Sequence, residues 1–160
     1  MPSYEIDISI NTSLWQDSVQ NIEQLTQKAV NLVFSKMLHN IEHIEISIVL
    51  ADDAFVQNLN KTYRGKDKPT NVLSFPQTEP DEAHDSFISL GDIIIAYETI
   101  AREALEQNKP LPDHYAHMLV HGCLHLLHHD HETDKEAEEM EAHEIAILSA
   151  LNIKNPYQIL

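Results

Sequence analysis

The chain has 160 residues, a formal net charge of −16 at pH 7, three glycines and one cysteine. That length suits one domain with a sizeable core, and a single cysteine excludes an internal disulfide. The longest apolar runs, such as Ile93 to Ala96, fall far short of the roughly 20 residues needed to span a bilayer, and the acidic balance argues against a nucleic-acid surface spread over the whole protein.

Met1 to Asp7 lacks the basic and apolar regions of a secretory signal, which with the lone cysteine predicts a cytoplasmic protein. Tyr4 to Ile10 alternates apolar and polar residues, a strand period. Ser13 or Asn11 can cap the next segment, where Leu14, Val19, Ile22, Leu25, Ala29, Val33 and Leu38 trace a stripe that predicts one long helix. Ile44 to Leu50 alternates again, and Asp52 or Asp53 caps a helix to about Thr62. Tyr63 to Thr70 is a turn-rich loop and Asn71 to Phe75 a short strand stopped by Pro76. The polar, acidic residues 77–87 predict a mobile loop, and Leu90 to Ala96 a central strand. Tyr97 to Gln107 reads as a helix ended before Lys109-Pro110; Pro112 and Asp113 open another, and Thr133 or Asp134 caps a last one to about Leu151. The order β-α-β-α-β-β-α-α-α predicts an α+β fold: a single domain over residues 1–160, with a small mixed four-stranded sheet packed against helices.

The most telling stretch is His121-Gly122-Cys123-Leu124-His125-Leu126-Leu127-His128-His129-Asp130-His131. Residues four apart share a helix face with Cβ atoms roughly 5 to 6 Å apart, so His121 and His125 can bind one ion at roughly 2.0 to 2.1 Å each. At about 1.5 Å rise per residue a straight helix cannot bring a third ligand from further along, so the chain must turn back first. The spacing of His121, His125 and His131 allows this and leaves a fourth position open, as in catalytic zinc sites. His114, His117, His121, His125 and His128 share a stripe roughly 80° wide; His114, His117 and His128 are read as neighbours of the site. Cys123 lies about 200° round the helix from His121 and reads as a small core residue.

The same spacing occurs in the zinc-peptidase pattern H-E-x-x-H-x-x-G-x-x-H, but Gly122 stands where that pattern has its general-base glutamate. A peptidase of that type is therefore disfavoured. Four of the ten basic residues, Lys61, Arg64, Lys66 and Lys68, fall within eight positions, a local basic strip on an acidic body. Arg64 is always charged and can grip phosphate oxygens through two parallel hydrogen bonds.

The histidine run resembles the hallmark H-G-x-L-H-L-x-G-Y-D-H of the YbeY family. Tyr63 to Pro76, Leu90-Gly91-Asp92-Ile93 and Ala137 to Ala142 are similar to other stretches of that family, so the likeness covers most of residues 58–142. The resemblance implies a bacterial zinc-dependent endoribonuclease with one Zn2+ per chain on His121, His125 and His131, and Arg64 as the catalytic residue. It implies single-stranded RNA as substrate, roles in small-subunit rRNA maturation and ribosome quality control, and the ribosomal small subunit and an assembly GTPase as partners, with no DNA or membrane.

The chain departs from the hallmark at His128 and His129, where the family has Gly and Tyr. Position 128 ends the helix, and a left-handed residue there lets the chain swing back, so His128 is expected to adopt positive φ. The replacement keeps His128, His129 and Asp130 open beside His131 as third ligand. Two other functions compete: a non-cleaving ribosome-assembly factor with a structural metal, and a metallohydrolase of another substrate.

Overall fold

The computed structural model describes residues 3–39, 41–77, 87–127 and 133–158. In chain order these form β1 (Ser3–Ile10), α1 (Leu14–Ser18), α2 (Ile22–Met37), β2 (His43–Ala51), α3 (Asp53–Arg64), β3 (Val72–Pro76), β4 (Phe87–Ala96), α4 (Tyr97–Glu106), α5 (Leu111–Leu126) and α6 (Asp134–Ala150). The expected α+β class and mixed four-stranded sheet are both present. The strand order is β1-β2-β4-β3, with β1, β2 and β4 parallel and β3 antiparallel to β4 at one edge. Of the loop expected over residues 77–87, Phe87 instead opens β4; residues 78–86 and His128, whose φ is expected to be positive, lie outside the described residues.

Strand β4 shows why its sequence is a continuous apolar run. Ile93 and Ile95 join the large core under α2, α5 and α6, whereas Ile94 and Ala96 join a smaller cluster with Ala51, Val56 and Leu73 beneath α3. A strand covered on both faces loses the alternation that marks a half-buried one. β1, at the opposite edge, keeps it, with Glu5, Asp7 and Ser9 exposed and Ile6, Ile8 and Ile10 turned toward the core. Asp52 caps α3 by accepting from the Phe55 N–H at 2.9 Å, and Thr133 caps α6 by accepting from the Glu136 N–H at 3.1 Å, two of the expected caps.

The long first helix is in fact two. The chain leaves α1 through an extended Val19 and enters α2 through Asn21 at φ 55°, a conformation asparagine tolerates better than most residues. The break turns Trp15 fully into the core, where its indole N–H donates to the Ala51 carbonyl at 2.9 Å. Trp15 is not part of the expected stripe from Leu14 to Leu38, so the periodicity alone concealed its anchoring.

Gly91 marks an irregularity in the central strand. Glu45 pairs with Ser89 but Ser47 with Asp92, so β4 carries one residue more than β2 over this interval. Gly91 sits there at φ 134°, and a Cβ on it would lie 2.1 Å from the Phe75 carbonyl oxygen of β3. Only glycine permits that backbone and so close an approach of the edge strand. Among the described residues, no helix is long and apolar enough to cross a membrane.

Candidate metal centre and groove

Helix α5 opens with Pro112 in its first turn and is buried almost all round, contacting α2, α4, α6, β3 and β4. Its imidazoles lie along one side: His114 and His117 are buried, while His121 and His125 emerge half-buried. Gly122 faces β3 and β4, where a Cβ would come within 3.2 Å of Ile93 Cγ2 and 3.3 Å of both Ser74 Oγ and Val72 Cγ2. The position that holds a glutamate in the zinc-peptidase pattern is thus pressed against the sheet, with no room for a carboxylate side chain. Cys123 is fully buried, and burial pushes its thiol up to about 12, consistent with a core residue and not with a thiolate ligand.

His121 and His125 bring their Nε2 atoms to 3.1 Å from each other. Two nitrogens each about 2.0 to 2.1 Å from one ion can span that separation, so the pair suits a single divalent cation. Both rings line a cavity of about 600 Å³ whose other wall is Tyr63 and Arg64 from the end of α3 and Asn71 to Pro76 along β3. Arg64 reaches this rim because Gly65, at φ 69°, ends α3 in a left-handed turn: the Gly65 N–H donates to Lys61 O and the Lys66 N–H to Asn60 O, which satisfies the last carbonyls of the helix. Arg64, His121 and His125 therefore share one groove. His131, the expected third ligand, lies outside the described residues, as do His128, His129 and Asp130.

Behind the groove, Glu144 of α6 is fully buried. Its Oε1 lies 2.6 Å from His121 Nδ1, and its Oε2 accepts the Tyr157 hydroxyl and lies 3.5 Å from His117 Nε2. Burial alone would push this carboxyl up, but the hydrogen bonds from His117, His121 and Tyr157 and the charge of His117 outweigh it and hold it down to about 2. The carboxylate fixes the ring of His121 through Nδ1, with Nε2 directed toward His125. The sequence reading missed Glu144. Its signal was an acid at the centre of an apolar stripe, one turn beyond Met140 and one turn before Ile147 and Leu148, all buried.

Depression of the Glu144 pKa makes it a source of acid sensitivity. Its stabilising contribution is complete above about 4.5, its ordinary value, and is lost as the pH falls towards about 2. Urea unfolding followed across that window is expected to show a shallower loss of stability in Glu144→Gln than in the wild-type chain. Parallel curves would exclude this role.

His114 is engaged elsewhere: its Nε2 lies 2.9 Å from Glu103 Oε1, and the same carboxylate accepts from Asn71 Nδ2 at 3.2 Å, tying α5 to α4 and to the start of β3. Burial outweighs Glu103 and pushes the His114 ring below the usual imidazole range. A second His/Glu group with possible metal-ligand geometry lies on β1 and β2, where ligand atoms of Glu5, His43 and Glu45 all fall within 4.8 Å of one another. Glu5 and Glu45 are register partners, and His43 stacks on Phe87. None of these residues lines the groove, which borders the other edge of the sheet.

Residues 7–152 match the family model described as endoribonuclease YbeY. The chain belongs to the YbeY family. The endoribonuclease YbeY of Paramagnetospirillum magneticum is 44% identical over 156 residues, covering 96% of this chain and 95% of that one. The YbeY of Parvibaculum lavamentivorans is 46% identical over 160 residues, covering 96% and 84%. A solution structure from Thermotoga maritima matches with a TM-score of 0.58 and 21% identity over 94% of this chain and 92% of that one, which shows the shared fold alone. The YbeY match spans Arg64, His117, His121, His125 and Glu144. It stops short of Tyr157.

Proposed function

We propose that this protein is a single-strand-specific, metal-dependent endoribonuclease that hydrolyses RNA phosphodiester bonds. In this reading one zinc ion per chain is held by His121, His125 and His131, and Arg64 engages the scissile phosphate. The observation that carries it is the sharing of one groove by Arg64 and an imidazole pair 3.1 Å apart, in a chain whose relatives are named endoribonucleases. An ion held there supplies Lewis acidity toward the scissile phosphate.

The chain's own residues supply position and charge. The Arg64 guanidinium presents a planar fork of N–H donors that matches two phosphoryl oxygens, and it offsets the negative charge that grows on them as the bond breaks. Tyr63, 68% exposed and edge-on to Phe75 at 5.6 Å, offers a ring face beside Arg64 on which an unpaired base can stack. Such stacking needs bases splayed from a helix, which favours single-stranded RNA. Lys61, Lys66 and Lys68 are exposed around the same turn and can draw a polyanion to this end of an otherwise acidic protein. The proposal extends, by analogy with the family, to action on small-subunit rRNA, ribosome quality control, an assembly GTPase as partner and the cytoplasm as location.

The test is cleavage of a single-stranded RNA by the purified protein and by Arg64 variants. Arg64→Ala is expected to lower kcat by about 10²- to 10³-fold, the effect of removing one charge-stabilising donor. Arg64→Lys should recover only part of this, because an ammonium cannot form the paired bonds. Equal rates in all three proteins would remove Arg64 from the reaction.

A further inference from the structure

The hydrogen bonds around Glu144 can be assigned a direction, because each participant has a fixed stock of protons. A carboxylate only accepts, so the 2.6 Å bond at Oε1 requires the proton of His121 to reside on Nδ1. At Oε2 the Tyr157 hydroxyl donates its one proton. That hydroxyl has none left for His117 Nε2, 3.2 Å away, so His117 must be the donor there. In a neutral ring this leaves His117 Nδ1 without a proton. That atom has no hydrogen-bond partner among the described residues, as suits a bare nitrogen better than a buried N–H. The chain of bonds runs one way, from His117 through Tyr157 to Glu144, where it meets the bond from His121.

We infer that Tyr157, on the C-terminal segment beyond α6, is a positioning residue of the metal centre: by occupying Glu144 Oε2 it holds the carboxylate so that Oε1 keeps His121 in the Nδ1–H form, its Nε2 lone pair facing the groove. This rests on the reading of His121 as an ion ligand. The segment is built for the task. The Lys109 ammonium donates to the Pro156 carbonyl at 3.0 Å, and the Tyr157 N–H donates to the Asn155 side chain at 2.8 Å, which fixes the chain on both sides of the Pro156–Tyr157 peptide bond. The Tyr157 ring also packs edge-on against His117, with centroids 5.4 Å apart. Without the hydroxyl, Oε2 keeps among the described residues only the longer contact to His117, and the carboxylate can rotate away from His121.

The direct experiment is ¹⁵N NMR of the histidine side chains in the metal-free protein, at a pH where the rings are neutral, comparing wild type with Tyr157→Phe. The phenylalanine keeps the ring packing and removes the hydroxyl alone. Wild-type His121 is expected as the Nδ1–H tautomer, and the variant as a mixture. Zinc affinity, measured by competition with a chromogenic chelator, is expected to fall by about 10-fold in Tyr157→Phe, the lower end of the range for a group that orients a ligand. Glu144→Gln, which places an amide against His121, should fall further. An unchanged tautomer together with unchanged zinc affinity in Tyr157→Phe would overturn the assignment. If the wild-type chain bound no zinc, the metal reading of His121 would fail, and the tautomer comparison would still decide the role of Tyr157.

Discussion

Removing the ion with a chelator, or replacing His125 by alanine, is expected to reduce cleavage of single-stranded RNA to background, a loss of more than about 100-fold. The magnitude follows because disturbing only a group that orients a ligand already costs about 10- to 100-fold, and a lost ligand or ion costs more. His121→Ala should have the same effect on cleavage with an added penalty in stability. It takes from the fully buried Glu144 the donor that sits 2.6 Å from Oε1, and a buried charge that loses a hydrogen bond destabilises by about 1–3 kcal/mol or more. His125→Ala leaves the bond between His121 and Glu144 in place, so it should lose activity with a smaller fall in Tm than His121→Ala. A gel assay of RNA cleavage, elemental analysis and a melting curve on the three proteins separate these outcomes. Full cleavage by metal-free protein would sink the metal-dependent mechanism. Bound zinc without cleavage would favour a structural ion and a non-cleaving assembly role.

Gly91→Ala is expected to cause the largest loss of stability of the three possible glycine-to-alanine changes in this chain, about 3–5 kcal/mol. The new Cβ would meet the Phe75 carbonyl at 2.1 Å, and φ 134° is closed to residues with a side chain. Backbone strain of about 1–3 kcal/mol and overpacking of similar size combine here. In a domain of this size that corresponds to a drop in Tm of about 10 °C. The strain falls on the pairing of β3 with β4, and β3 supplies one wall of the groove, so the variant should lose RNA cleavage at temperatures where it is still folded. Gly65→Ala offers a comparison: its Cβ would meet nothing within 4 Å, so only the positive φ is penalised, at about 1 kcal/mol. Similar melting temperatures for the two variants would refute this account of Gly91.

The parts of the fold that the sequence announced are those governed by local rules. Strand periodicity marked β1 and β2, aspartate and threonine before apolar stripes marked the starts of α3 and α6, and histidines four apart marked the open end of α5. What escaped notice depends on partners distant in the chain. The break at Asn21 is explained by the pocket that receives Trp15, part of which is the Ala51 carbonyl 36 residues away. Glu144 sits 23 residues from His121, and no helical or strand period relates them. Gly122 could be seen as a missing glutamate, but the cause, contact with Val72, Ser74 and Ile93, requires the sheet to be in place.

Trp15 is the chain's one tryptophan, and its surroundings determine what light can report about this protein. The indole is wholly buried, 5.1 Å from the Tyr115 ring and 5.2 Å from the Tyr97 ring, and none of the three lines the groove. Its emission should be blue-shifted and fed by energy transfer from two tyrosines. It will record the melting of the core faithfully and remain nearly silent when an ion or a nucleotide enters the groove, so occupancy has to be watched with a probe placed on the α3 rim.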